Sequence, residues 1–145
     1  MVICSSLLHE VEKPEVLLKA IFSVCNESTI VHINVPNAKS FHRILAYESG
    51  MIKNVHDMSK RNIELQQNRV FDIETVAELV RGCGGTMIDS GTYFVKPFTH
   101  KQMLDLLEEK IIDEDVLNGF YTMTKYMPDL GSELYVTCKL ANEDK

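Results

Sequence analysis

The chain has 145 residues, 45% of them apolar and 25% charged, with a formal net charge of −6: room for one globular domain with a real core, and too little for two. Fifteen Lys and Arg against 21 Asp and Glu leave no basic surplus for a phosphate backbone, so nucleic acid is not an expected partner. There is no apolar run of about 18 residues, and no basic start with a small-residue cleavage site, so the sequence predicts no membrane span and a cytoplasmic protein.

Val2 to Leu8 is short, largely apolar and bounded by polar residues, like a strand buried on both faces. Pro14 opens a helix where its missing N–H costs nothing. Val16, Leu17, Ala20, Ile21 and Val24 repeat along one face, giving an amphipathic helix over residues 14–25. Thr29 to Val35 is β-branched and alternating, the next strand, and Pro36-Asn37 ends it. Strand, helix and strand form a βαβ unit, expected to be parallel and right-handed. Ser40 to Glu48 reads as a short helix stopped by Ser49-Gly50, and a second helix is expected from Ser59 onward. Lys60, Arg61 and Arg69 form the densest basic cluster, diluted by Asp57 and Glu64 into a solvated helix face.

Asp72 caps a helix over residues 73–82, ended by Gly82, Gly84 and Gly85. Thr86 to Val95 reads as a long strand with a bulge or bend at Gly91. Thr99 and Gln102 make a capping box for the following helix, with Phe98 and Met103 as a staple pair. Asp113 caps another helix to about Lys125. Pro128 and Gly131 mark a loop, Glu133 to Leu140 is the last strand, and residues 141–145 are a polar tail. The fold class is therefore α/β, one domain of about four strands with flanking helices, its sheet open on the N-terminal side.

Cys4, Cys25 and Cys138 lie in apolar stretches, where a reduced cysteine behaves as a small hydrophobe. Neither these and Cys83 nor the five histidines show metal-ligand spacing, so no metal is expected.

Three stretches together resemble a known pattern: Val2 to Pro14 with Leu17-Leu18, Ile33 to Arg43, and Val70 to Gly84. In order and spacing they are similar to the C-terminal half of a class I S-adenosylmethionine-dependent methyltransferase of the small-molecule branch. The first resembles that family's fourth strand and exit loop. The second resembles the fifth strand with its Pro-Asn exit, and the third the segment and helix before the final strand pair. The resemblance implies a Rossmann-like sheet whose first three, cofactor-gripping strands are absent. The densest glycine cluster, Gly82-Cys83-Gly84-Gly85, follows a helix and precedes a strand, the reverse of a dinucleotide-type grip. The family's Glu-His order also appears here as His9-Glu10.

The resemblance implies methyl transfer from S-adenosylmethionine to a small-molecule acceptor. Ser5, Ser6, Leu7 and Leu8 would border the cofactor, although Ser5 and Ser6 would equally just end a strand. His9 and Glu10 follow at the sheet edge where open α/β sheets bind ligands, and His9 has the reference pKa of an acceptor-side base; a surface histidine in a loop is the commoner outcome. Asn37 would orient an acceptor or, more commonly, make an Asx turn. His42 and Arg43 follow on the short helix, where Arg43 would clamp a carboxylate or phosphate of the acceptor, an exposed arginine or a structural ion pair being the commoner outcome. Tyr93 and Lys96 would face the acceptor, and residues 40–70 would form a substrate lid. A strand beginning the chain would leave one edge unpaired, predicting a homodimer or pairing with a complementary N-terminal half. The rival readings are a non-catalytic remnant that binds another chain, and a different α/β enzyme.

Overall fold

A computed structural model describes residues 1–141. The expected polar tail beyond Ala141 lies outside the described residues, as do the side chains of Lys60 and Arg61. The elements run Val2–Ser5 (β1), Pro14–Ser23 (α1), Val31–Pro36 (β2), Phe41–Glu48 (α2), Lys60–Glu64 (α3), Ile73–Gly82 (α4), Gly85–Tyr93 (β3), His100–Glu108 (α5), Glu114–Thr122 (α6) and Glu133–Leu140 (β4), with a 3-10 turn at Met123–Lys125. No helix among them is long and apolar enough to cross a membrane.

The sheet order is β1-β2-β4-β3. β1 and β2 are parallel, as a βαβ unit requires, and β4 inserts antiparallel between β2 and β3. Alternation then sorts the sheet into two faces. Val31, Ile33 and Val35 stand opposite Cys138, Val136 and Leu134, and all six are fully buried. Leu18 and Phe22 of α1 and Val76 and Val80 of α4 pack on them. Burying each such side chain stabilises the fold by about 1.5–3 kcal/mol. The other face is more open: His32 stacks on Tyr135 with ring centroids 5.5 Å apart and shares a 3.1 Å hydrogen bond with Thr137.

Capping follows the sequence closely. The Asp72 carboxylate accepts from the Thr75 amide at 2.8 Å, Thr99 and Gln102 complete a capping box, and Asp113 accepts from the Val116 amide at 3.0 Å. All four cysteines are free thiols, Cys4 and Cys138 within the core.

Four expectations change. The first strand stops at Ser5 because Ser6 turns to φ +50°, and Leu7 then accepts from the Glu10 amide. It is also buried on one face only, with Cys4 inside and Ile3 61% exposed, since nothing among the described residues covers the Ile3 side. The helix from Ser59 is a single turn and a half, ended by Gln66 at φ +57°. The irregularity in β3 lies between Met87 and Asp89 rather than at Gly91. Gly91 answers a different need: a Cβ there would sit 2.9 Å from the ring of Tyr135 on the neighbouring strand.

Candidate functional site

Parallel pairing brings the ends of β1 and β2 to one edge of the sheet, where antiparallel β4 begins and β3 ends. Two rows cross this edge in register. Ser5 stands beside Asn34, Asn34 beside Tyr135, and Tyr135 beside Gly91; one step further out, Pro36 stands beside Glu133 and Glu133 beside Tyr93. Directly opposed residues share a face, so Asn34, Glu133 and Tyr93 lie on the open side. The Asn34 side-chain amide donates to the Tyr93 hydroxyl at 3.3 Å, and the Tyr121 ring of α6 lies 6.5 Å from the Tyr93 ring.

Lys96, just past β3, and His42, in the first turn of α2, complete this group. Burial pushes the Glu133 carboxyl up, and the nearby Lys96 charge only partly opposes it. Burial likewise pushes the Lys96 ammonium down, with Glu133 pulling the other way. His42 is pushed to about 4 by burial and then by the charges of Lys96 and Arg43, so its ring is neutral at physiological pH. Oε2 of Glu133 and Nδ1 of His42 are both buried without a hydrogen-bond partner among the described residues. Such atoms cost about 1–3 kcal/mol each when nothing meets them, and they cluster where function offsets stability.

The other expected residues divide. Ser5, Ser6 and Leu7 are exposed at the β1 tip, whereas Leu8 turns inward and is fully buried in the core. The His9 ring is enclosed, 4% exposed, with Nδ1 meeting no hydrogen-bond partner among the described residues and Nε2 3.9 Å from Glu10. Burial lowers its pKa against the opposing charge of Glu10. Its carbonyl accepts from the Asn68 amide at 2.8 Å, tying the tip to the segment after α3. A groove of about 560 Å³ opens beside it, lined by Glu10, Glu12, Ile63, Leu65, Gln66 and Asn68 among others.

Asn37 uses every polar atom of its side chain. Its Nδ2 donates to the carbonyls of Asp129 and Gly131, and its Oδ1 accepts from the Lys39 amide, the Asx turn. Arg43 donates from Nε to the Val55 carbonyl at 2.9 Å and from Nη2 to the Asp57 carbonyl at 2.6 Å. It holds the loop after α2 with these two donors.

The sequence of this chain matches no family model and no curated protein. Solved structures are informative. A chain of the complex between the Haloferax volcanii Trm112 methyltransferase activator and the protein described there as a methyltransferase superposes with a TM-score of 0.51 at 10% identity, over 99% of this chain and 54% of that one. A SAM-dependent methyltransferase from Archaeoglobus fulgidus superposes with a TM-score of 0.50 at 14% identity, over 95% of this chain and 57% of that one. The fold is methyltransferase-like. The chain spans about half the length of both structures.

Within this methyltransferase-like sheet, sequence reasoning named Tyr93, Lys96 and His42 but missed Glu133 and Asn34. Both looked like polar positions of ordinary strands. The available signal was Glu133 opening a strand directly after the Pro128–Gly131 loop, which places it at the edge where β2 ends. A second group also went unnoticed. Asp72 is buried and binds His56 Nε2 at 3.0 Å and Lys39 Nζ at 3.2 Å, beside a cavity of about 440 Å³ lined by His56, Met58, Phe71 and Thr75 among others.

Proposed function

We propose that the chain is part of an S-adenosylmethionine-dependent methyltransferase acting on a small-molecule acceptor, and that it completes its site with a partner. The observation that carries this reading is the gathering of Asn34, Tyr93, Glu133, Lys96 and His42 at one edge of a methyltransferase-like sheet. Open α/β sheets bind ligands at the carboxyl ends of their parallel strands.

The exposed Ser5, Ser6 and Leu7 at the β1 tip fit one wall of a cofactor cleft. When bound, the cofactor supplies an electrophilic methyl group. The chain's own residues orient the acceptor and handle its proton. Leu8 supports the wall from within. His9 and Glu10 stand at the same tip; the enclosed His9 ring and its carbonyl contact suit a positioning role, and a catalytic one is tested by His9→Gln. A complete enzyme whose pH–rate profile is unchanged by that substitution excludes His9 as the base. Residues 40–70 act as the lid in this reading; Arg43 ties α2 to the loop that follows it, and the His56–Asp72 contact holds that loop to the cap of α4.

A second reading is a pairing subunit without catalysis, favoured by the β1 edge. Val2 and Ser6 donate to Ile30 and Asn34, so by alternation the amides of Ile3 and Ser5 face away from β2. An unpaired edge accepts a strand from another chain, whether a second copy or a complementary N-terminal half. Calorimetric titration with S-adenosylmethionine and S-adenosylhomocysteine separates the readings. Binding that needs a complementary half supports the enzyme; a stable complex that still fails to bind either compound supports the pairing subunit.

A further inference from the structure

We propose that the groove along α5 is a docking site for a cationic amphipathic helix of another protein, and that Glu109 selects that helix by charge. The surface lies apart from the β1 edge, and the inference stands without the methyl-transfer reading.

Helices in a globular protein are held chiefly by the apolar face they bury. Of all the side chains on α5 and α6, one is buried, that of Met103. Leu104, Val116 and Tyr121 are exposed on these helices, as are Phe98 just before α5 and Ile111, 68% exposed, between the two. Within this surface lies a cavity of about 310 Å³, lined by Phe98, Gln102, Asp105, Leu106, Glu109 and Ile111. That is the lower end of the range that takes small ligands or bulky side chains, roughly 300–1,000 Å³. Positions 102, 105, 106 and 109 recur at helical spacing, so they form one stripe along α5 and its C-cap. Phe98 and Ile111 stand at the two ends of the stripe. A groove along one helix is the shape into which a second helix packs.

Charge narrows the occupant. Residues 98–129 hold seven Asp and Glu against three Lys, so this stretch supplies −4 of the chain's net −6. Glu108 and Glu109 stand at the C-terminal end of α5, whose last turn has no basic residue. The carbonyl end of a helix disfavours carboxylates and favours cations. Asp105 pairs with Lys101 at 3.0 Å, whereas among the described residues Glu109 meets no cation. A Lys or Arg on a docking helix would satisfy Glu109 and the helix end together. Its apolar neighbours would fill the space against Phe98, Leu106 and Ile111.

The same charge tells against other occupants. A second copy paired about a two-fold axis would set this acidic face against itself. The sequence beyond Ala141 is Asn142-Glu143-Asp144-Lys145, with no apolar side chain to offer the groove. An anionic membrane surface would repel the carboxylates.

The test is NMR of the full 145-residue chain, amide-15N labelled, titrated with three peptides of about 14 residues, near the length at which a helix holds in water. One is an amphipathic pattern of leucine and lysine, one the same pattern of leucine and glutamate, and one a lysine-only chain. The leucine–lysine peptide is expected to shift the amides of Gln102, Asp105, Leu106, Glu109 and Ile111 saturably, with the other two peptides at least about tenfold weaker. Glu109→Lys and Ile111→Ser, both at exposed positions and with the fold checked in the same spectra, are each expected to weaken binding about tenfold. Glu27→Lys makes the same charge change in the exposed turn after α1 and is expected to leave binding within about twofold. Shifts that avoid the groove overturn the proposal, as does equal binding of the glutamate or lysine-only peptide, or equal weakening by Glu109→Lys and Glu27→Lys. Shifts of the same amides on concentrating the chain without peptide would assign the face to a second copy and overturn it too.

Discussion

Asp72 shows how much one carboxylate holds at this edge. It caps α4 through the Thr75 amide, and its second oxygen meets Lys39 and His56. Burial works against its charge, but the hydrogen bonds from the Thr75 amide and hydroxyl, Lys39 and His56 outweigh it and hold the carboxyl at about 2. Because the folded value is depressed, its contribution is present above the ordinary carboxyl range and is lost as pH falls toward 2. Asp72→Ala is expected to destabilise the chain by about 2 kcal/mol at pH 7, from the lost cap and the stranded donors. In urea unfolding the gap from wild type should close as pH falls from about 4 to about 2; a gap constant across that range would contradict the assignment. Glycine offers a sharper contrast. A Cβ at Gly131 would lie 2.5 Å from both Thr92 Oγ1 and the Tyr93 backbone nitrogen, while one at Gly82 meets nothing within 4 Å. Gly131→Ala should cost about 3 kcal/mol because main chain cannot yield as a side chain can. Gly82→Ala in α4 should be neutral or stabilising by about 0.5 kcal/mol. Thermal unfolding of the pair reads both.

At the scale of elements, the loop after α2 is held by few, identifiable bonds. Arg43 binds the carbonyls of Val55 and Asp57, and the Asp57 carboxylate accepts from the amides of Lys53 and Asn54 at 3.0 and 2.9 Å. Arg43→Met should speed hydrogen exchange at Lys53 and Asn54 about tenfold and leave the β2–β4 ladder unchanged. Equal loss of protection in both would mean that Arg43 supports the whole fold instead. The elements themselves were largely legible: α4 and β4 occupy the residues that their patterns mark, because capping and alternation are local signals. β1 came out shorter, since the turn at Ser6 follows from where the chain must go next and not from its own residues. The site was legible only in part for the same reason. Tyr93, Lys96 and His42 could be named from strand ends and helix starts. Glu133 matters because register sets it between Pro36 and Tyr93, and register across strands so distant in sequence leaves no local trace. Arg43 had the right chemistry for an anion, but only the folded loop reveals that carbonyls occupy its fork.

For the whole molecule, the question is what meets the outer side of β1. Ile3 is 61% exposed there, beside backbone groups that face away from β2. If the chain self-associates through this edge, Ile3→Lys should reduce the dimer by at least tenfold in light scattering, since a charge on an edge strand opposes pairing. A dimer that tolerates the lysine would place the contact elsewhere. Another consequence lies in the position of β4. β4, made after both β2 and β3, sits between them in the sheet. While the chain emerges from the ribosome, β2 and β3 therefore wait with facing edges exposed until β4 follows. A premature stop before Glu133 would not trim an edge; it would remove the joint between β2 and β3, and quality control would meet two open ladders where one sheet was intended.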